Sequence, residues 1–409
     1  MTLLLKLAAR NLWRNNRRTF ITVLAVMFAT LFAIAQRGVQ LGTYEANISH
    51  ALTLFSGFIQ IQPPGFRDNP SLHKSFVPDE ALLTRIQNVP GVTGWTPRVY
   101  ADGLVSIRSV SYGAALFGLD PSHESTVSRL SERVVRGTFL SSDSSAEVVL
   151  GQTLLDNLKA DIGDTVVILG QGYDGTLGNE LFRVVGAVRT GAPQFDAMGV
   201  FVGLSRLQSL LAMNGRIHVI ALSLSGIADV PGVTTQLRTV LDTSRLAVLP
   251  WQEVMPELKQ SIELDNISGM IFIGILIVVV AFGILNTVLM SVTERFREFG
   301  VLLSLGMPQT KLVVVVFLET IMITVIGLIL GNMLALGVNY YLIVHPIMFT
   351  GEYAAMMEQY GFLPVMRSTI KPTSFLNTSM TIFGISLLST LYPLYRTSTL
   401  EPLKGIRYT

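Results

Sequence analysis

The sequence predicts an α-helical membrane protein with four transmembrane helices and a large extracytoplasmic α/β plus β domain between helices 1 and 2. Three observations carry that prediction. Four long stretches are almost free of charge, their short flanks on one side are basic, and a long polar segment between the first two shows alternating and helical patterning. Composition agrees. Of 409 residues, 50% are hydrophobic and only 14% charged, against about 25% charged in a soluble domain, and mean hydropathy is +0.51. The chain has no cysteine, which excludes structural disulfides, cysteine-ligated zinc, iron–sulfur clusters, a thiol nucleophile and a lipoprotein anchor. A net charge of +2 argues against a general nucleic-acid binder.

Residues 1–18 read as a cytoplasmic amphipathic helix lying in the membrane interface. Leu5, Leu12 and Trp13 face lipid, while Lys6, Arg10, Arg14, Arg17 and Arg18 supply positive charge for lipid phosphate. The plainer alternative is a topogenic charge cluster. The first span occupies 19–40, its uncharged run covering 19–36. Ala33-Ile34-Ala35 mimics a signal-peptidase site, but the apolar run is longer than an h-region, so an uncleaved span is expected. The second span, 266–293, carries no charge. The third, 311–344, is interrupted inside its apolar run only by Glu319, and the fourth covers 372–395. Each exceeds or approaches the roughly 20 apolar residues that cross a bilayer core.

Basic residues set the orientation. Lys6, Arg10, Arg14, Arg17 and Arg18 precede the first span. Arg295, Arg297 and Lys311 lie between the second and third, and Arg396, Lys404 and Arg407 follow the fourth. With four spans these flanks share one side, the cytoplasmic one. The domain at 41–265 and the loop at 345–371 then lie outside, and the tail 396–409 inside. The outer segment 37–265 holds 17 basic and 22 acidic residues, a net of −5.

That segment has the patterning of a folded domain. Period-two runs bounded by turn residues occur at 58–62, 104–107, 165–169, 181–188, 218–224 and 246–249. Asp79 is placed to cap a helix through Gln87 whose Leu82, Leu83 and Ile86 face inward, and a second helix is expected over 233–241. Val-Pro-Gly-Val occurs at 89–92 and again at 230–233, either a vestige of paired α/β units or chance. Strand and turn signals dominate from about Gly118 to Met213. This suggests a β-rich lobe, 117–213, inserted into an α/β lobe made from both flanks.

Enzymatic motifs are few. Gly170, Gly172 and Gly175 form G-x-G-x-x-G, but strand patterns lie on both sides of it, so it reads as a hairpin loop whose glycines supply positive φ and not as a dinucleotide site. There is no G-x-x-x-x-G-K-[ST] and no G-x-S-x-G, and His50, His73, His123, His218 and His345 have no metal-ligand spacing. No catalytic, cofactor-binding or metal residue is expected in this chain.

The informative segment is the link 294–308. Phe296, Phe299 and Leu303 recur at helical spacing and give an apolar face. Glu294 and Glu298 fall at i, i+4, where like charges destabilise an isolated helix by a few tenths of a kcal/mol. One reading is an external basic partner, the other a solvated turn with an ion pair from Glu294 to Arg297. Gly306 ends the helix and Pro308 prevents its continuation. Glu319 is expensive inside a span and therefore functional by default. It serves either as a structural hydrogen-bonding group, the preferred reading because no second ionisable residue shares the membrane, or as a proton relay. Gly327 and Gly331 form G-x-x-x-G, which permits close helix contact within the subunit or across a dimer.

The order of parts resembles the FtsX-like, MacB-type permeases of ABC transporters, nearest the lipoprotein-releasing branch. The match rests on Ala9-Arg10-Asn11-Leu12-Trp13-Arg14 with Arg17-Arg18-Thr19, on Glu294-Arg295, Arg297-Glu298-Phe299-Gly300 and Leu305-Gly306, and on Glu319 with Gly327 and Gly331. It extends to Tyr392-Pro393, Arg396, Glu401-Pro402-Leu403 and Ile406-Arg407, and in the outer domain to Val89-Pro90-Gly91-Val92, Gly118-Leu119-Asp120-Pro121, Ile162-Gly163-Asp164 and Trp251.

The resemblance implies a bacterial inner-membrane permease half-unit that pairs with a second copy or a paralogue and with a dimer of separate ABC ATPase subunits, which bind ATP and Mg. It implies porter and Sabre lobes outside. Glu294, Arg295, Phe296, Arg297, Glu298, Phe299, Gly300, Leu303, Leu305 and Gly306 become a coupling helix seated on the ATPase. The implied work is mechanical extraction or export of a lipoprotein or other amphiphilic cargo, with a periplasmic adaptor or acceptor as a further partner. The alternative is a signalling subunit that controls an extracytoplasmic partner such as a cell-wall hydrolase without moving cargo. No nucleic-acid partner is implied.

Overall fold

The computed structural model describes residues 2–14, 16–359 and 362–399, apart from the side chains of Thr2, Leu3, Arg18 and Gln359. The expected roles of Glu401, Pro402, Leu403, Lys404, Ile406 and Arg407, and of the Arg18 side chain, lie outside the described residues. Contacts divide the chain into two compact units. One comprises Met1–Tyr44, Ile262–Met348 and Val365–Thr409, the other Glu45–Ser261 and Phe349–Pro364.

Six helices dominate the first unit. An N-terminal helix, Thr2–Arg14, the one expected at the membrane interface, precedes a first long helix, Asn16–Ala51. The second long helix is Pro256–Glu294, followed by a short link helix, Phe296–Ser304. The third and fourth long helices are Gln309–Val344 and Pro372–Ser398. All four long helices are long and apolar enough to cross a membrane. A helix of 36 residues is about 54 Å long, against a hydrocarbon core of about 30 Å, so the first three exceed what spanning requires. The first continues past the expected limit of 40 to Ala51, and the second starts at Pro256, well before 266. Polar contacts support both extensions. Arg37 Nη1 donates to Gln40 Oε1 at 2.8 Å and to Asn266 Oδ1 at 2.5 Å, and Tyr44 donates to Asp265 Oδ2 at 2.5 Å.

The core of this bundle joins all four long helices through Val26, Ala29, Val280, Ile284, Val288, Val316 and Ile382. Gly327 and Gly331 are used within the subunit. A Cβ on Gly327 would lie 2.7 Å from Val26 Cβ, and one on Gly331 2.6 Å from Thr30 Cβ. These glycines let the third helix meet the first almost backbone to backbone, so the dimer reading of the motif does not hold.

The second unit is built on a ten-stranded sheet. Its strands are β1 (Ile59–Gln62), β2 (Val92–Ile107), β3 (Val110–Leu119), β4 (Val134–Gly137), β5 (Glu147–Gly151), β6 (Thr165–Gln171), β7 (Leu177–Val188), β8 (Gly199–Gly203), β9 (Val219–Leu224) and β10 (Ala247–Pro250). The order is β10-β1-β9-β2-β3-β8-β5-β7-β4, and β6 pairs with both β2 and β7. Hydrogen bonding therefore closes a ring through β2, β3, β8, β5, β7 and β6, which removes the exposed edges those strands would otherwise carry. Phe55, Phe117, Phe195 and Phe201 pack edge-on or stacked beside that ring, with centroids 5.2–6.2 Å apart.

This corrects the expected lobe boundary at 117, which falls inside β3. One half of β2 pairs with β9 and the other with β6, so a single long strand belongs to both the open sheet and the ring. The predicted helix at 80–87 is present, with Asp79 Oδ1 accepting from Leu82 N at 2.6 Å. The second Val-Pro-Gly-Val forms the first turn of the helix Val230–Val240 instead of preceding it. The two copies touch: a Cβ on Gly91 would meet Val233 Cγ2 at 2.9 Å. The G-x-G-x-x-G loop is a β6–β7 hairpin, in which only Gly175 of the three has positive φ, at 83°.

Candidate functional site

The candidate site lies where the second long helix stops. Glu294 is its last residue. Arg295 leaves helical geometry with φ −102° and ψ 8°, and the link helix begins at Phe296. Glu294 and Glu298 therefore stand on different helices. The expectation of a strained like-charge pair on one face is overturned, because the helix breaks between them.

Arg295 is the centre of an ionic node. Its Nη1 lies 3.0 Å from Glu319 Oε1 and 3.3 Å from Oε2, and its Nε donates to Glu298 Oε2 at 3.3 Å. Its guanidinium sits 4.9 Å from the centroid of Phe299. Asn11 Nδ2 donates to Glu319 Oε1 at 2.7 Å, and Arg14 Nη2 donates to Glu298 Oε2 at 2.6 Å. The N-terminal helix, the second-helix terminus, the link helix and the third long helix are thus tied by two carboxylates. Partial burial would push the Glu298 carboxyl up, but hydrogen bonds from Arg14 and Arg295 outweigh it and hold the group below its ordinary range. A small cleft of about 30 Å³ beside Arg295 and Glu319 has room for a water or two.

Three expectations change here. Glu319 has an ionisable partner after all, Arg295, contributed by the preceding helix terminus; their side chains are 11% and 9% exposed. Arg295, Phe299 and Gly300 do not form an outward surface. All three are buried, and Phe299 packs with Val292, Leu312 and Val316 while Phe296 and Leu303 flank that cluster. The apolar face of the link helix is used inside the bundle. Glu298 has its basic partners within the chain, so it is no evidence for an external one.

What the link presents outward is a different stripe. Arg297, Val301 and Leu305 are exposed at i, i+4 and i+8, Leu305 by 80%. Sequence reasoning had named Arg297 and Leu305 but missed Val301; continuing from Arg297 in steps of four would have found it. After Ser304 the chain reverses sharply. Gly306 takes φ 89°, and Met307 N bonds Leu302 O at 3.0 Å.

The N-terminal helix also differs in detail. Trp13 is 83% exposed and Arg10 and Arg17 are exposed. Leu12 is buried against Val23 and Ile323 instead of facing lipid, and Arg14 pairs with Glu298. The buried residue Ala8 continues that inner face.

Four apolar helices, an extramembrane domain inserted after the first, and a short pinned helix between the second and third define a polytopic permease subunit. The family model for the MacB-like periplasmic core domain matches residues 19–240, and that for the FtsX-like permease C-terminal matches residues 270–402. The chain belongs to this family: it is an ABC-transporter permease of the FtsX and MacB type. It is 23% identical over 344 residues to the lipoprotein-releasing system transmembrane protein LolC of Neisseria meningitidis serogroup B, covering 80% of this chain and 81% of that one. It is 22% identical over 355 residues to the macrolide export ATP-binding/permease protein MacB of Agrobacterium fabrum, covering 83% of this chain but 53% of that longer protein. The periplasmic region of MacB from Actinobacillus actinomycetemcomitans is similar to 52% of this chain, at 17% identity and a TM-score of 0.36, with 94% of that region covered.

Proposed function

We propose that this chain is the transmembrane half of an ABC transporter in which a separate ATPase dimer, binding ATP and Mg, drives extraction or export of a lipoprotein or other amphiphile. The basic flanks are cytoplasmic in this reading, the membrane is the bacterial inner membrane, and the sheet domain works on its outer side beside a second permease copy or paralogue. A periplasmic adaptor or acceptor receives the cargo. The observation that carries the proposal is the link helix: one face locked into the bundle, the other carrying Arg297, Val301 and Leu305 outward.

A force applied to that outward stripe reaches the second helix through the Arg295 backbone. It reaches the third through the Arg295–Glu319 pair, and the N-terminal helix through Arg14–Glu298. The Arg295–Glu319 contact is buried and transmits displacement because a packed interior is stiff, whereas Arg14–Glu298 is a half-exposed tether. The similarity to LolC, a transmembrane protein of a lipoprotein-releasing system, favours lipoprotein as cargo.

The test is ATP-dependent release of labelled lipoprotein from spheroplasts depleted of this chain and complemented with variants. Wild type restores release, while Leu305→Asp restores less than a tenth of it and loses co-purifying ATPase. Normal release in depleted cells, with a defect only in an extracytoplasmic hydrolase, supports the signalling alternative instead.

A further inference from the structure

Within the sheet-domain unit, a cavity of about 140 Å³ is lined by His50, Arg133, Arg189, Glu358 and Phe362, with the turn at Thr190 and Gly191 forming its floor. Two cations meet on one wall. Arg189 N donates to Arg133 O at 3.0 Å, beside the β4–β7 pair of Val134 with Val188, so the two arginines are neighbours in the ladder. Arg133 Nη2 lies 3.3 Å from His50 Nδ1, which orients that guanidinium. The nearest buried carboxylate is engaged elsewhere. Asp196 accepts from Thr190 N at 2.7 Å, Thr190 Oγ1 at 2.8 Å and Gly191 N at 3.3 Å, which fixes the floor without neutralising the wall. Among the described residues, neither Arg133 nor Arg189 has an ion-pair partner.

The rest of the lining is held independently. Leu363 N donates to Asn47 Oδ1 at 2.7 Å, fixing the segment that carries Phe362, and Glu358 stands exposed at the same cavity. Two adjacent guanidiniums match the several acceptor oxygens of a phosphate. The one carboxylate in the lining, Glu358, repels a dianion and matches an ammonium, which an aromatic ring also favours.

We propose that this cavity binds a zwitterionic phosphate–amine headgroup of the phosphoethanolamine class, its phosphate toward Arg133 and Arg189 and its ammonium toward Glu358. In serving amphiphile handling this deepens the function proposed above and rests on it, but the binding needs no ATPase. Failure of one is therefore distinguishable from failure of the other.

The experiment is calorimetric titration of the full chain, purified in lipid-free detergent, with short-chain phosphatidylethanolamine, phosphatidylglycerol of the same chains, free phosphoethanolamine and inorganic phosphate. Saturable binding of the ethanolamine lipid at least tenfold tighter than the glycerol lipid is expected. Arg189→Gln should weaken both lipids tenfold or more, and Glu358→Gln should bring the two within twofold by weakening only the ethanolamine lipid. Both substitutions are at exposed positions, and unchanged unfolding temperatures confirm that the variants are folded. Free phosphoethanolamine binding as tightly as the lipid supports a soluble headgroup as ligand; much tighter lipid binding supports a membrane or cargo source. Absence of saturable binding, binding indifferent to Arg189→Gln, or equal affinity for the two lipids overturns the proposal.

Discussion

At the scale of single residues, the Arg295–Glu319 pair has the most consequence. Both partners are buried: removing Arg295 leaves Glu319 as an uncompensated charge, at a cost of about 3–5 kcal/mol, and removing Glu319 leaves Arg295 only its longer contact to Glu298. Glu319→Leu should therefore lower the unfolding temperature and yield of purified protein sharply. Glu319→Gln, which can still accept from Arg295, should lower them less, and Arg295→Met with Glu319→Leu should recover much of the loss. Equal damage from all three would show that the pair is not the stabilising unit.

His218 supplies a second residue-scale prediction. It is fully buried, and its Nδ1 accepts from Tyr100 N at 3.0 Å, so protonation would break a hydrogen bond as well as bury a charge. Burial, aided by Arg216, depresses its pKa to about 4 from 6.5. Below pH 6.5 the unfolded chain takes up a proton that the folded chain refuses. The stability contribution is thus complete above 6.5 and falls as pH drops toward 4, by about 2 kcal/mol between pH 7 and 5. Thermal unfolding at the two pH values measures this, and His218→Asn should remove most of the difference.

Some residue-level features were legible in the sequence and others were not, for a physical reason. Asp79 as a helix cap follows from local hydrogen bonding, which sequence spacing encodes. The partner of Glu319 does not, because Arg295 precedes it by 24 positions and reaches it only once the second and third helices pack side by side. A carboxylate inside an apolar helix did signal that a partner was required; which cation would supply it was a matter of tertiary structure.

At the scale of elements, the link helix and the third long helix carry the argument. The hydrophobic repeat of Phe296, Phe299 and Leu303 was visible, but periodicity says that a face is buried and not what covers it. The bundle covers it. Phe299→Asp should consequently damage folding, whereas Val301→Asp should leave the unfolding temperature within a degree or two of wild type and reduce ATPase co-purification. The glycine contacts give a matched comparison. Gly331→Leu would collide with Thr30 and with Met27 O, 2.8 Å from the added Cβ, whereas a Cβ on Gly384 meets nothing within 4 Å. Gly331→Leu should reduce the yield of folded protein severely and Gly384→Leu should not, as read by size-exclusion profiles of the two variants.

In the sheet-domain unit, β6 and β7 were readable from alternation, while β5 and β8 were not. Both are buried on both faces, as Val148, Val149 and Leu150 and as Val200, Phe201 and Val202 show, so neither alternates. The ring closure through β6 was likewise beyond sequence patterning, since it depends on pairing β2 with a strand some sixty residues later.

At the scale of the whole molecule, the order of a span, a domain and three further spans was legible from charge-free runs alone, because a bilayer imposes a length that few soluble helices reach. The extension of the first and second helices past those runs was not, since residues 41–51 and 256–265 are polar enough to resemble a soluble segment. In the function proposed above, energy enters from another polypeptide at Arg297, Val301 and Leu305 and leaves as movement of the long helices. Since the chain contains no cysteine, single cysteines can report that contact without background. The most direct measurement is the yield of ATP-sensitive crosslinks to the partner ATPase in native membranes from Leu305→Cys and, as control, Phe299→Cys. A strong crosslink from 305 with none from 299 is predicted; no crosslink from 305, or equal yields from both positions, would contradict coupling through this face.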